Sequence, residues 1–127
     1  MADPRSRDEV ESLLPLKPLV FQVLLALSDE DRHGWSLVRE VQQRGGFARL
    51  MPGNFYRTLR TMLADGLIAD SRRRPASKDG MSASDDERRR YFRLTPLGAR
   101  LAAAEARRLE AAVLEARAKR LLARTRG

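Results

Sequence analysis

Residues Met51 to Ile68 read MPGNFYRTLRTMLADGLI, and the rest of the chain is best understood from this stretch outward. Phe55, Leu59, Met62 and Leu63 recur at i, i+4, i+7 and i+8, which is one apolar stripe of a helix. The residues left over, Asn54, Tyr56, Arg57, Thr58, Arg60 and Thr61, are hydrogen-bonding or cationic, and none is acidic before Asp65. Pro52, Gly53 and Asn54 carry helix-start signals and Gly66 a stop signal. The spacing predicts a helix over about 54–65, apolar behind and rich in donors in front. That shape suits a DNA major groove. An ordinary core helix with a solvated face fits the same stretch equally well, so its neighbours must decide.

Upstream, Lys17 to Leu27 reads as a helix with Pro18 in its first turn, where a missing N–H costs nothing. It is apolar almost all round, through Leu19, Val20, Phe21, Val23, Leu24, Leu25 and Leu27, and so needs cover on more than one side. Ser28 to Arg32 reads as a charged turn. His33, Gly34 and Trp35 open a second helix to about Gln43, with Trp35, Val38 and Val41 as its inner face and Leu37 beside them. Gly45 and Gly46 end it, and Phe47 to Met51 alternates weakly, as a brief strand would. Residues 1–12 are polar and without period, and read as a frayed arm.

Downstream, Leu67 to about Arg72 and Arg90 to Leu94 read as paired strands, with Phe92 and Leu94 on one face and Tyr91 and Arg93 on the other. The loop between them, about 73–89, is rich in Ser, Asp, Arg and Gly and too long for a tight turn. Thr95 caps a last helix with Pro96 at its first position. Carried to Arg124, that helix would be about 45 Å long. Its stripe of Leu97, Leu101, Leu109, Val113 and Leu121 is longer than so small a domain can cover. A second copy is the simplest partner, with Phe21 and Leu24 of the first helix contributing.

Three helices followed by a hairpin is the layout of a winged helix-turn-helix. The predicted class is therefore mainly α with a small β-hairpin. It comprises an arm (1–12), a winged helix-turn-helix domain (13–94) and a C-terminal dimerisation helix (95–127). In that layout the third helix enters the major groove. Arg57 and Arg60 suit guanine edges or phosphates, and Tyr56, Thr58 and Thr61 offer hydroxyls. Asn54 suits adenine, or it caps the helix, Asn being a preferred N-cap. Arg72, Arg73, Arg74, Arg88, Arg89 and Arg90 gather at the two ends of the wing loop, partly neutralised by Asp79, Asp85, Asp86 and Glu87. Trp35 is a candidate for stacking on an effector.

The totals agree. The 127 residues carry a formal net charge of +8, and a strongly basic domain is a candidate nucleic-acid binder. Nearly all the cations are Arg, a composition that genomic base bias also produces, so the charge supports a polyanionic partner without proving one. There is no cysteine, which removes disulfides, thiolate zinc sites and a cysteine nucleophile. With one His, no phosphate loop and no nucleophile elbow, an enzyme is not expected, nor a cofactor or metal site. No apolar run reaches the roughly 18 residues of a membrane span, so a cytoplasmic protein is expected.

HGWSLVREVQQRGG (33–46), PGNFYRTLRTMLADGLI (52–68) and ERRRYFRLTPLGARLAAAEARRLE (87–110) together resemble the PadR-like transcriptional regulators. The family's usual runs are close to H-G-Y, P-G-T-L-Y-R-x-L-x-x-L-x-x-x-G-L-I and R-R-x-Y-x-L-T-x-x-G. The resemblance covers about Leu13 to Leu109. Trp35 stands where tyrosine is common, and Asn54 with Phe55 where Thr-Leu is common; both departures keep the chemistry of their places. The resemblance implies a homodimeric repressor on a pseudo-palindromic double-stranded DNA operator. A single long helix after the wing is similar to the compact subfamily, some of whose members bind flat aromatic compounds at the dimer interface. Two other readings stand beside it: a winged-helix adaptor between proteins, and an RNA-binding basic protein without operator specificity.

Overall fold

The computed structural model describes residues 9–71 and 90–122. The main elements among them are α1 (Pro18–Leu27), β1 (Arg32–His33), α2 (Gly34–Gln42), α3 (Pro52–Ala64), β2 (Ile68–Asp70), β3 (Tyr91–Leu94) and α4 (Pro96–Ala118). Proline sits at the first position of α1, α3 and α4, where its fixed φ favours the helix and no hydrogen bond is lost. The strands form one antiparallel sheet in the order β1-β3-β2. β3 pairs Tyr91 with His33 and Phe92 with Arg32 on one side, and Leu94 with Ile68 and Phe92 with Asp70 on the other.

The core is made where α1, α2, α3 and the inner face of the sheet meet. Leu24, Leu37, Phe55, Leu59, Met62, Ile68, Phe92 and Leu101 are all fully buried there. The stripe of α3 that the spacing marks out supplies Phe55, Leu59 and Met62. The junction from α3 into the sheet is a Schellman motif: Gly66 N–H donates to Leu63 O (3.1 Å) and Leu67 N–H to Met62 O (3.0 Å). Gly66 takes the left-handed φ of +78° that this motif needs. A clasp then ties α4 to the same junction. Thr95 Oγ1 donates to Gly66 O (2.6 Å) or Leu67 O (2.9 Å) and accepts from Gly98 N–H (3.0 Å). Gly98 has no side chain because the Leu67 carbonyl occupies the space where one would begin.

Several expectations are corrected. The sheet has three strands rather than two, because Arg32 and His33, read as turn and helix start, pair with the wing's return strand. Phe47 to Met51 is a series of turns, not a strand. Residues 9–12, assigned to a frayed arm, are helical, and Val10 packs into the core. Trp35 does not join the inner face of α2; Gly34, Leu37, Val38 and Val41 do, and Trp35 is 43 % exposed. The last helix ends at Ala118 rather than near Arg124, with Arg120 in the left-handed region (φ 60°) and Leu121 beyond the helix.

Candidate nucleic-acid interface

α3 turns one long face outward. Its N-cap is Met51, so Pro52 and Gly53 open the helix and Asn54 is the third helical residue, exposed. The capping alternative for Asn54 therefore falls, and its amide is left on the surface. Opposite the buried stripe lie Arg57, Arg60 and Thr61, all exposed. Arg57 has no ion-pair partner among the described residues. Tyr56 is half-buried on the flank, edge-on to Phe55 at 5.9 Å.

The two threonines are chemically narrower than the sequence suggests. Thr58 Oγ1 donates to Asn54 O (3.1 Å) and Thr61 Oγ1 to Arg57 O (3.2 Å). With its proton spent on the preceding turn, each hydroxyl faces outward as an acceptor. The donors on this face are Asn54, Arg57 and Arg60. Arg57, Thr58 and Thr61 also form one wall of a groove of about 470 Å³. Its other lining is mostly apolar, from residues that include Leu13, Leu16, Leu19 and Val20, with Lys17 and Asp65 as its further charged residues.

At the wing root Arg90 is already engaged. Its guanidinium makes a two-pronged contact with Asp70, Nε to Oδ1 at 2.9 Å and Nη2 to Oδ2 at 2.6 Å, and lies 5.6 Å from the centre of the Phe92 ring. Its carbonyl accepts from Gly34 N–H (2.9 Å). Ser71 fastens the other side of the root, its N–H to Tyr91 O (2.7 Å) and its hydroxyl to Asp31 (2.5 Å). Arg90 thus holds the root of the wing in place rather than presenting an unengaged cation. Arg72, Arg73, Arg74, Arg88 and Arg89 lie outside the described residues, as do Asp79, Asp85, Asp86 and Glu87.

The residues expected to dimerise divide into three groups. Leu24 and Leu101 are fully buried in the protomer's own core and have no surface to offer a partner. That corrects their assignment: α4 uses its first ten residues, as far as Glu105, to cover the domain it belongs to. Phe21, Leu97 and Leu109 are half-buried. Val113, Leu114, Leu121 and Leu122 are exposed, and nothing in the described protomer covers the outer half of α4.

Sequence reasoning missed a buried carboxylate. Glu105 is 2 % exposed. It accepts two bonds of 2.8 Å from Arg108 and one from the Leu16 backbone N–H. The Arg108 hydrogen bonds hold its carboxyl below the usual carboxylate range, against the opposing effect of burial. The signal was present: Glu105 lies one turn after the core residue Leu101, with an Arg three positions on. A second missed residue is Arg32, whose Nε donates to Ala26 O (2.7 Å) and whose Nη1 meets Glu40 (2.9 Å), fixing the α1–α2 connection. Among the described residues no group of three or more His, Cys, Asp or Glu is placed to hold a metal ion. No described helix is long and apolar enough to cross a membrane.

The model of the transcriptional regulator PadR-like family matches residues 23–104. The chain belongs to that family. Solved structures that share its fold include two crystal structures of PadR regulators. One is a PadR family transcription regulator from Clostridium difficile, at 20% identity and TM-score 0.62, covering 80% of this chain and 96% of that one. The other is a PadR-like transcriptional regulator from Bacillus cereus, at 19% identity and TM-score 0.64, covering 92% of this chain and 99% of that one. Curated proteins gave no match. In this PadR-like chain the matched span opens inside α1 and closes inside α4. It takes in α3, the sheet and the Thr95–Gly98 clasp, and it leaves the outer half of α4 outside. The protein is a transcription regulator with a winged-helix DNA-binding fold.

Proposed function

We propose that the protein is a homodimeric repressor that holds a pseudo-palindromic operator and lets go of it in response to a small aromatic compound or a stress signal. The observation that carries the reading is the outward face of α3. Arg57 and Arg60 stand there on a helix whose opposite face is locked into the core by Phe55, Leu59 and Met62. A rigid helix with forked donors is what base-edge recognition in a major groove requires. Asn54, Tyr56, Thr58 and Thr61 complete the reading face, and Arg72, Arg73, Arg88 and Arg89 of the wing follow the adjoining backbone.

Dimerisation is supported by the outer half of α4, where Val113 and Leu114 have no cover in the protomer. Phe21, Leu97 and Leu109 extend that surface; Leu24 and Leu101 do not. Two readers so joined would meet successive major grooves, with half-sites about 10 base pairs apart. Release by an effector is supported by the groove beside Arg57, Thr58 and Thr61, since a ligand seated there would touch the reader itself.

The test is selection of bound duplexes from a randomised pool, repeated in the presence of planar aromatic acids. The expected result is an enriched sequence with dyad symmetry whose recovery falls with one of the ligands. Recovery without sequence preference would refute operator recognition. An enriched asymmetric site would refute the paired readers.

A further inference from the structure

Trp35 is an exposed tryptophan in the first turn of α2, stacked on His33. Gly34, Leu37, Val38 and Val41 mark the inner face of α2. At about 100° per residue, Trp35 and Gln42 fall within about 20° of each other on one flank, and Glu40 falls on the other. The contacts say where each flank looks. Gln42 Nε2 donates to Leu50 O (3.0 Å), in the turn that leads into α3. Glu40 binds Arg44 (2.9 Å), whose other nitrogen reaches Gln22 of α1 (3.4 Å). One flank therefore meets, at Gln42, the turn into α3, and Trp35 lies two turns back on the same side, opening onto the outer surface of α2 beside Ser36, Arg39 and Glu40.

The ring packs on one neighbour. It stacks on His33 at 5.9 Å and 11°, and His33 packs on Tyr91 at 4.6 Å. His33 and Tyr91 are register partners, so both project from the outer face of the sheet, away from Phe92. The residue before Trp35 bonds the wing root, Gly34 N–H to Arg90 O. Trp35 thus stands exposed beside the wing root, at the start of the helix that precedes the reader. Arg39, one turn along the same exposed surface, has no ion-pair partner among the described residues.

We propose that Trp35 is a DNA-backbone contact. Its indole N–H donates to a phosphate oxygen of the strand bordering the groove that α3 enters, and Arg39 supplies charge beside it. An indole N–H only donates and a phosphate oxygen only accepts, so the chemistry is matched. A ring already stacked loses little freedom on binding. The inference rests on the DNA-binding reading and adds to it a contact outside both α3 and the wing loop.

Trp35 is the only tryptophan in the chain, so its emission reports on this site alone. The full chain is titrated with a 30-base-pair duplex recovered by the selection above, following tryptophan emission, acrylamide quenching and gel-shift affinity. Emission is expected to change in step with binding, and quenching to fall in the complex. Trp35→Phe keeps the ring and loses the N–H; it should weaken binding about tenfold or more, the worth of a hydrogen bond to a charged group. Its melting temperature should match wild type, since the residue is exposed. Wild-type affinity in Trp35→Phe, or an indole equally quenchable in the complex, overturns the proposal. Emission that responds to a planar aromatic acid and not to the duplex also overturns it, and moves the site to effector binding. If wild type binds no duplex, the DNA-binding reading itself fails, an outcome distinct from the others.

Discussion

Replacing Gly98 with alanine sets two effects of opposite sign against each other. Intrinsic helix preference favours alanine by about 0.5–1 kcal/mol. Packing opposes it. A Cβ on Gly98 overlaps the Leu67 carbonyl oxygen and stands 3.0 Å from Leu94 Cδ1. The first neighbour is backbone at the Schellman junction, and cannot turn aside as a flexible side chain would. Relief requires α4 to move off the sheet, which stretches the Thr95 N–H bond to Leu67 O (3.2 Å) and the bond from Thr95 Oγ1 to the same oxygen (2.9 Å). Overpacking costs about 1–3 kcal/mol and each weakened hydrogen bond part of about 0.5–1.5 kcal/mol. The net is a loss of about 2 kcal/mol, or roughly 10 °C in Tm for a domain of this size. Thermal and urea melts at one fixed protein concentration measure it, because association would otherwise shift the midpoint. Gly53→Ala is the internal control: nothing lies within 4 Å of a Cβ there, so it should be neutral or stabilising by up to about 1 kcal/mol. A Gly98→Ala protein as stable as wild type would refute the close approach and the clasp derived from it.

Further outcomes follow from the same structure. Arg57→Ala with Arg60→Ala should cost about 1–3 kcal/mol per lost base contact in operator affinity with circular dichroism unchanged; intact affinity in the double variant would remove α3 as the reader. Val113→Glu with Leu114→Glu should lower the solution mass at micromolar concentration to that of a protomer without unfolding it, as sedimentation would show; a wild-type protein that is itself monomeric there contradicts the homodimer. Glu105 is held below the usual carboxylate range when folded, so it contributes stability above the unfolded value and loses it as pH falls through the folded one. Glu105→Gln should therefore lie below wild type at neutral pH and converge on it as acid is added, and parallel pH–stability curves would count against this account.

The sequence alone determined what depends on local period and on the special backbone of a few residues. The i, i+4, i+7 stripe of α3 located the reader, because a helix must bury one face and so exposes the other. The prolines that open α1 and α4, Thr95 as a cap and Gly66 as a stop are legible for the same kind of reason: each acts within one turn of itself. Together, those runs carry the resemblance to the family whose model matches residues 23–104. The tertiary structure decided what depends on residues far apart in sequence. Arg32 and His33 became a strand only because β3, some sixty residues on, offered an edge to pair with. Asn54 lost its capping role because Pro52 carried the helix start back to Met51. Leu24 and Leu101 looked like partner-facing residues until folding buried both in the core of their own protomer. Arg90 looked like an unengaged cation until the hairpin brought Asp70 to it. Glu105 looked like a surface charge until Arg108 and the Leu16 N–H closed around it. Trp35, read as core, is turned outward, and Gly34, Leu37, Val38 and Val41 take the inner face of α2. Periodicity gives the face that must be covered, and only three-dimensional packing says which element covers it.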